Sequence, residues 1–288
     1  MNNISINING VDCEVSWSEI TTKLKQFVSW QAIPLKIDEI DNVEFLNDYK
    51  NGIRWIADTF LSCLPDNLDR TQVKKIISVG SGISTLELLL LQYFTNAHIW
   101  LVDKSEITNP TYFLPNGRVE FPVEVYKNHQ VGFYNDWDIT NDAISTSNLD
   151  ISRIHFLDAA DPWPNDVDII YSGWAWCWDI NKDEYNERAM NSLKIGGSLI
   201  VDVYEEIDRN IVQEISEQLG NQPNTSIKRD KSKVSTALNP EINWDKLNDL
   251  NITQAEYVEI LNKVHTFLNY FNIKEDGIYG GRYSWTRV

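Results

Sequence analysis

The sequence is poor in cysteine and has no long apolar run. Its three cysteines, Cys13, Cys63 and Cys177, are far apart and form no CxxC pair, so neither a disulfide framework nor a cysteine-based metal site is indicated. No segment approaches the roughly 20 consecutive apolar residues that a membrane-spanning helix needs. The start MNNISINING also lacks the basic and apolar regions of a signal peptide. These absences predict a soluble cytoplasmic protein that does not associate with a membrane.

Positive charge is also scarce. The 25 Lys and Arg residues stand against 42 Asp and Glu, which leaves a formal net charge of −17 at pH 7. An acidic surface repels phosphate backbones, so a nucleic-acid partner is not expected. One basic cluster, with Lys228, Arg229, Lys231 and Lys233, lies in the polar stretch 220–240, which we interpret as a solvated loop. The HExxH and DxDxDG patterns are missing, and no metal site is predicted.

The chain is predicted to have two parts. Residues 1–70 carry apolar residues at helical spacing and are expected to form a helical N-terminal cap. Over 71–288, short apolar segments alternate with helical ones, which is typical of a parallel sheet with helices on both faces. Strands are predicted at 75–79, 98–102, 152–157, 167–172 and 197–203, with a final edge strand in IYGGRYSWTRV, and helices at 84–95, 136–147, 182–193, 207–219 and 253–271. The predicted fold class is α/β, a doubly wound and mostly parallel seven-stranded sheet with a helical N-terminal extension.

A ligand-binding turn is indicated where the first of these strands ends. Gly80, Ser81 and Gly82 follow the strand KKIISV and precede a leucine-rich helix. A glycine lets the chain turn tightly and lets a ligand approach the backbone, and the helix start offers unpaired N–H groups. The next strand, HIWLVD, ends at Asp103, whose carboxylate can accept hydrogen bonds from both ribose hydroxyls of an adenosine. The pattern therefore predicts that an adenosine-containing ligand binds here.

This turn alone leaves the identity of the ligand open. A dinucleotide fingerprint, G-x-G-x-x-G/A, would need a small residue where Thr85 stands, and the related G-x-G-x-G pattern would need a glycine where Ser84 stands. Neither pattern is complete.

Four motifs in order, SVGSGIS, LVD, FLDAADPWP and LKIGGSLIVDV, cover about residues 72–205. Together they resemble the class I S-adenosylmethionine-dependent methyltransferases. Ser78 departs from the family pattern, which usually has an acid there that helps to hold the methionine moiety, and Ser84 replaces the third glycine. Glu87, on the first turn of the following helix, is expected to face solvent.

The resemblance implies S-adenosyl-L-methionine as the cofactor and assigns roles by position. The glycine turn would approach the methionine portion, the acid after the second strand the ribose, and the acid after the third strand the adenine amino group. The end of the fourth strand would border the methyl group and the acceptor. The residues so implied for the cofactor are Gly80, Ser81, Gly82, Asp103, Asp158, Ala159 and Ser172, with Gly173 on the acceptor side.

The acceptor side is predicted after the fourth strand, in SGWAWCWD. Trp174, Trp176 and Trp178 alternate, so an extended backbone would place all three on one side. They could bind a sugar ring, an aromatic acceptor or a cation, and packing in the core is an equally good interpretation. Asp179 is the predicted general base, with His129 as the alternative.

The predicted function is S-adenosylmethionine-dependent methyl transfer to a small-molecule or glycan acceptor, with a hydroxyl as the expected nucleophile. Residues 104–134 are expected to form an acceptor-side insertion, either a helix or a small hairpin. The region from GFYND to LIVDVY has a further, weaker likeness to sugar O-methyltransferases.

Three alternatives remain. The first is transfer of the aminocarboxypropyl group of the same cofactor, as in nicotianamine-synthase-like proteins. The second is an NAD-dependent oxidoreductase, which Thr85 and LKIGGSLIVDV disfavour. The third is a non-catalytic adenosine-binding scaffold.

Overall fold

The computed structural model describes residues 2–28, 41–103, 111–114, 117–120, 137–173, 175–176, 185–203, 211–221, 223–230 and 278–288. The strands are β1 (Asn3–Ile8), β2 (Val11–Ser16), β3 (Lys75–Val79), β4 (His98–Asp103), β5 (Thr111–Leu114), β6 (Gly117–Glu120), β7 (Ile154–Asp158), β8 (Val167–Ser172), β9 (Leu193–Val203), β10 (Asn224–Asp230) and β11 (Ile278–Thr286). The helices are α1 (Thr22–Val28), α2 (Asn42–Leu61), α3 (Thr85–Tyr93), α4 (Trp137–Thr146), α5 (Asn186–Ser192) and α6 (Ile211–Leu219).

The main sheet has seven strands in the order β10–β11–β9–β8–β3–β4–β7. β11 is antiparallel to both of its neighbours, and the other adjacent pairs are parallel. Six strands therefore run in one direction and one runs against them, which confirms the predicted fold class. The chain builds outward from β3 in both directions, so the carboxyl end of β3 lies at the point where the strand order reverses. Open α/β sheets bind their ligands at this point.

The outer part of the sheet differs from the prediction. The expected edge strand, β11, lies between β9 and β10 instead. β10 itself occupies Asn224–Asp230, inside the stretch interpreted as a solvated loop, so Lys228 and Arg229 belong to a strand. An edge strand pairs on one side only and is commonly polar and charged. For that reason its sequence did not show the apolar alternation by which strands are recognised.

The N-terminal residues also correct the prediction. Residues 3–16 form an antiparallel hairpin, β1 with β2, rather than helices. Its turn contains Asn9 and Gly10, both with positive φ, at 46° and 85°. Asn-Gly between alternating residues is the strongest short-range hairpin signal, and the buried side chains alternate along β1 at Ile4, Ile6 and Ile8. The helical prediction holds further along, at α1 and α2.

Two apolar clusters cover the two faces of the sheet. One contains the β1–β2 hairpin, α2, α3 and α4, and the other contains residues of α5 and α6. The N-terminal elements thus share a core with the sheet. Helix α3 lies in the middle of the first cluster, and all of its residues from Thr85 to Leu91 are buried. Three carbonyls near its end, those of Leu91, Phe94 and Ala97, accept hydrogen bonds from the Arg153 guanidinium.

The remaining predictions concern the inserted and C-terminal segments. Within the expected insertion 104–134, β5 and β6 form a small antiparallel hairpin, one of the two forms predicted. The predicted helix 253–271 lies outside the described residues. In the part of the chain that the structure describes, no helix combines the length and the hydrophobicity that crossing a membrane would require.

Candidate functional site

The predicted cofactor residues meet at one edge of the sheet. β8, β3, β4 and β7 are consecutive neighbours and run in parallel, so their carboxyl ends lie side by side. Asp103 and Asp158, the last residues of β4 and β7, are directly opposite each other. The glycine turn follows β3, and Ser172 ends β8. The topology therefore brings together side chains that are up to 92 positions apart in the chain, from Gly80 to Ser172.

Gly80 and Gly82 are each needed as glycine, for different structural reasons. Gly80 has a φ of 72° and Gly82 a φ of 54°, a region that side chains disfavour. A Cβ on Gly80 would lie 2.2 Å from the Cβ of Ala175, whereas a Cβ on Gly82 would have no described atom within 4 Å. Gly80 thus allows the segment after β8 to pack against the turn. Among the described residues, Gly82 borders open space, where a ligand can lie against the backbone.

Two serine hydroxyls in this turn are buried and unpaired. Ser81 is 9% exposed and Ser84 is 1% exposed, and neither Oγ has a hydrogen-bond partner among the described residues. Ser84 precedes α3 with a left-handed φ of 59° and makes no side-chain cap bond. Buried hydroxyls normally have partners, so two orphaned ones beside an open glycine mark a site that a polar ligand can complete.

Asp103 is bound to the glycine turn. One of its carboxylate oxygens, Oδ2, accepts a hydrogen bond from the Gly82 N–H at 3.1 Å. Its backbone carbonyl accepts another from the Ala159 N–H at 2.9 Å. The side chain is only partly buried. The carboxylate predicted to bind a ribose therefore borders the open space at Gly82.

The loop after β7 is held by its own polar groups. Oδ1 of Asp158 accepts a hydrogen bond from the Ala160 N–H at 2.9 Å, and the Asp158 N–H donates to Oδ2 of Asp161 at 3.1 Å. Arg188 of α5 donates to the Ala159 carbonyl. These bonds fix Asp158 and Ala159, the pair predicted to contact adenine, next to Asp103.

The residues after β8 fit a structural role better than the predicted one. Ser172 is fully buried; its hydroxyl donates to the Val79 carbonyl at 3.1 Å and accepts from the Trp176 N–H at 2.9 Å. Trp176 is also fully buried and makes an edge-to-face contact with Tyr185 at 6.3 Å between ring centroids. Its position agrees with the core-packing interpretation rather than with contact to an acceptor.

Gly173 makes room for a neighbouring tyrosine. A Cβ there would lie 2.2 Å from the hydroxyl oxygen of Tyr171. That hydroxyl accepts a hydrogen bond from Arg282, which is 1% exposed and also donates two hydrogen bonds to the fully buried Asp202, at 2.8 and 2.9 Å. This buried ion pair beside the end of β8 had no signature in the sequence, because its two residues are 80 positions apart.

Glu87 contradicts the expectation that it faces solvent. It is 4% exposed, and its Oε1 accepts a hydrogen bond of 2.6 Å from the Ser78 hydroxyl. Burial, with a smaller contribution from the negative charge of Asp103, raises the pKa of Glu87 to about 7. The run Leu88–Leu91 was the sequence signal for this burial, since a helix that is apolar all round is buried on every side. An acid is therefore present next to Ser78 after all, but it comes from α3 instead of β3.

A part-buried hydroxyl pair lies beside Glu87. The Tyr49 hydroxyl of α2 donates to Oγ1 of Thr85 at 2.5 Å. Burial raises the pKa of Tyr49 above its ordinary value, so it stays neutral at physiological pH. Thr85, whose size argued against a dinucleotide turn, here ties the N-terminal helix α2 to the start of α3.

Two histidines lie at the opposite edge of the sheet from the candidate site. His98 and His155 lie in the predicted strands, near the starts of β4 and β7, with Nδ1 of His98 and Nε2 of His155 3.0 Å apart. In the described part of the chain, no three Cys, His, Asp or Glu residues are placed to hold a metal ion. Four predicted site residues lie outside the described ranges and stay predictions: Trp174, Trp178, Asp179 and His129.

Comparison with known proteins was informative only at the level of structure. No protein-family model matches the chain, and no curated protein matches it either. Solved structures do match, among them StiE O-MT residues 961–1257, with a TM-score of 0.50 and 13% identity over 87% of this chain and 78% of that chain. A second structure, StiE O-MT residues 942–1257, has a TM-score of 0.51 and 12% identity over 86% and 76% of the two chains.

The chain shares its fold with these two O-MT structures. At this level of identity the likeness concerns the fold alone, so the fit of S-adenosylmethionine must be judged from the residues present. Open α/β sheets bind ligands at the carboxyl ends of their strands, and at this edge the chain carries Gly82, Asp103 and Asp158. Open space at Gly82, the adjacent Asp103 carboxylate and the unpaired hydroxyls of Ser81 and Ser84 are suited to such a ligand. The residues fit the cofactor.

Proposed function

We propose that the protein binds S-adenosyl-L-methionine and transfers its methyl group to a hydroxyl of a small-molecule or glycan acceptor. The observation that carries the proposal is the open space at Gly82 beside the carboxylate of Asp103. A neutral diol and a carboxylate form charge-assisted hydrogen bonds, which are among the stronger ones in proteins.

Three residues at this edge of the sheet would then hold the cofactor. Gly82 lets the ligand lie against the backbone, Asp103 accepts hydrogen bonds from the ribose hydroxyls, and Asp158 accepts one from the adenine amino group. The bound cofactor supplies an electrophilic methyl group on a positively charged sulfur. The acceptor oxygen would attack the methyl carbon in line with the bond to sulfur. Most of the protein's contribution is therefore to hold that oxygen close to the methyl carbon.

The acceptor side needs a base and side chains that contact the acceptor. A hydroxyl acceptor must lose its proton, and a positioned base contributes about 10²–10⁴-fold to the rate. We keep Asp179 as the proposed base, with His129 as the alternative, and Trp174 and Trp178 as acceptor contacts. The StiE structures are named as O-methyltransferases, which supports a hydroxyl as the nucleophile. The acidic composition supports a partner that is not a nucleic acid.

The test is a calorimetric titration of the protein with S-adenosylmethionine, S-adenosylhomocysteine and NAD. The proposal expects the first two to bind and NAD not to bind. Asp103→Ala removes charge-assisted hydrogen bonds and should weaken both by about 2–4 kcal/mol, or roughly 30- to 1000-fold in Kd. Glu217→Ala, an exposed acid of α6, is the control and should bind normally. An unchanged affinity of Asp103→Ala would rule out its ribose role.

Analysis of the product separates the remaining functions. Incubation with a panel of hydroxyl compounds should convert the cofactor to S-adenosylhomocysteine. Methylthioadenosine would indicate aminocarboxypropyl transfer instead. Binding of the cofactor with no consumption by any compound in the panel would favour the non-catalytic scaffold.

A further inference from the structure

Glu87 is a buried ionisable group that the proposed reaction does not use. It lies on the first turn of α3, and the Ser78 hydroxyl donates to it at 2.6 Å. Ser78 is two residues before Gly80, and Asp103, which acts electrostatically on Glu87, is bonded to the Gly82 N–H. The Glu87 carboxyl therefore lies next to the glycine turn, on the side away from solvent.

The electrostatic surroundings of this carboxyl are not cationic. Asp103 of β4 adds negative charge, and Tyr49 of α2 is neutral because its pKa is raised. The acids on the other elements packed against α3 are bonded elsewhere: Glu14 of β2 and Asp142 of α4 accept hydrogen bonds from serines of the N-terminal segment. Within the described residues, no group that shifts the pKa of Glu87 is a cation. A buried carboxyl beside another carboxylate, with no cation near it, tends to hold its proton.

We propose that Glu87 makes this site distinguish a positively charged sulfonium ligand from the neutral thioether product, because the bound positive charge favours release of the Glu87 proton to solvent and the thioether does not. This inference rests on the proposed function. A cation brought next to a buried carboxyl favours the ionised form. S-Adenosylmethionine and S-adenosylhomocysteine differ by one methyl group and by the charge on sulfur, so they form a matched pair for this effect.

Inhibition by the thioether product should depend on pH. When methyl transfer removes the positive charge from sulfur, the ionised Glu87 loses its counter-ion, and near or below pH 7 it takes back a proton. Above pH 7, where free Glu87 is mostly ionised, the site then favours the substrate cofactor over the product. Product inhibition should accordingly weaken as pH rises.

The experiment is calorimetric titration of the full chain with each compound at pH 6, 7 and 8, in phosphate and in Tris. The dependence of the enthalpy on the buffer gives the number of protons released. If the sulfonium lowers the Glu87 pKa by about one unit, roughly 0.4 proton is released at pH 7 and the affinity ratio of the two compounds changes by about fivefold between pH 6 and 8. The thioether should release no proton from this residue.

Substitutions of Glu87 and Ser78 test whether Glu87 is the residue that releases the proton. Glu87→Gln keeps an acceptor for Ser78 and should abolish both the additional proton release and the pH dependence of the affinity ratio. Glu44→Gln, an exposed acid of α2, should behave as the original chain. Ser78→Ala removes a hydrogen bond that favours the carboxylate and should move the pH midpoint upward, which provides a second readout if Glu87→Gln does not fold.

The outcomes are distinguishable. The inference would be overturned if both compounds released the same number of protons, or if neither released any. It would also be overturned if Glu87→Gln released as many protons as the original chain. In each of these cases cofactor binding would remain intact. Binding of neither compound would refute the inference together with the proposed function. Loss of the difference in Glu87→Gln alone, with the predicted shift in Ser78→Ala, would support it.

Discussion

The buried carboxyl of Glu87 predicts an unusual dependence of stability on pH in the free protein. In the unfolded chain its pKa is near the ordinary 4.5, and in the folded protein it is about 7. Between these values the folded state holds more protons than the unfolded state, so the free energy of unfolding falls as pH rises from 4.5 to 7 and is level above that. Each pH unit corresponds to about 1.4 kcal/mol, so Glu87 alone lowers stability by about 3 kcal/mol across this window.

Glu87→Gln removes this titration while keeping an oxygen that can accept from Ser78. We therefore expect the two proteins to have similar stability near pH 4.5 and the variant to be more stable by about 3 kcal/mol at pH 8. Urea denaturation at pH 4.5, 6, 7 and 8, followed by circular dichroism, measures the difference, and other titrating groups cancel in it.

Glu44→Gln is the matched control, because that side chain is exposed and should show no such trend. A difference between Glu87→Gln and the original chain that is constant with pH would refute the reasoning. It would mean that Glu87 is ionised and solvated in the folded protein, as the sequence first suggested.

Two further pairs of substitutions test other parts of the structure. Gly80→Ala should lower the free energy of unfolding by about 2–4 kcal/mol, because its Cβ would meet Ala175 and its φ is positive. Gly82→Ala should lower it by only about 1 kcal/mol and should mainly weaken binding of S-adenosylmethionine. Urea denaturation measures the stabilities and calorimetry the binding, and equal losses of stability would contradict the separate roles of the two glycines. Arg282→Met removes the cation that pairs with the buried Asp202 and should lower the free energy of unfolding by about 3–5 kcal/mol. In a double-mutant cycle, Arg282→Met combined with Asp202→Leu should lower it by less than the sum of the two single substitutions.

Much of the sheet could be predicted because its strands are continuous apolar runs. β3 and β8 agree with the predicted bounds, and β4 and β7 agree to within two residues. The polar edge strand β10 could not be recognised in this way. The N-terminal hairpin has a known sequence signal in its Asn9–Gly10 turn. The apolar residues further along have helical spacing, and the helical prediction was wrong where it included residues 3–16.

The candidate site was predictable in part. The acids at strand ends, Asp103 and Asp158, follow from strand boundaries and topology rules, and the structure places them side by side. The separate roles of Gly80 and Gly82 were not predictable, because they depend on whether Ala175, 95 positions after Gly80, fills the space. Ser172 and Trp176 likewise follow apolar strands in a way that suits either a pocket or the core.

The fold class and the expected ligand edge of the sheet follow from the sequence, since apolar periodicity and the positions of glycine and acidic residues are local properties of the chain. The protonation state of Glu87 follows only from the arrangement of the chain in space. Its position on α3 is compatible with a solvated surface acid, and its burial arises because α2, α4 and the N-terminal hairpin cover a helix that is apolar on every side. Ionisation depends on the surroundings of a group in space, and those surroundings come from segments far apart in the chain.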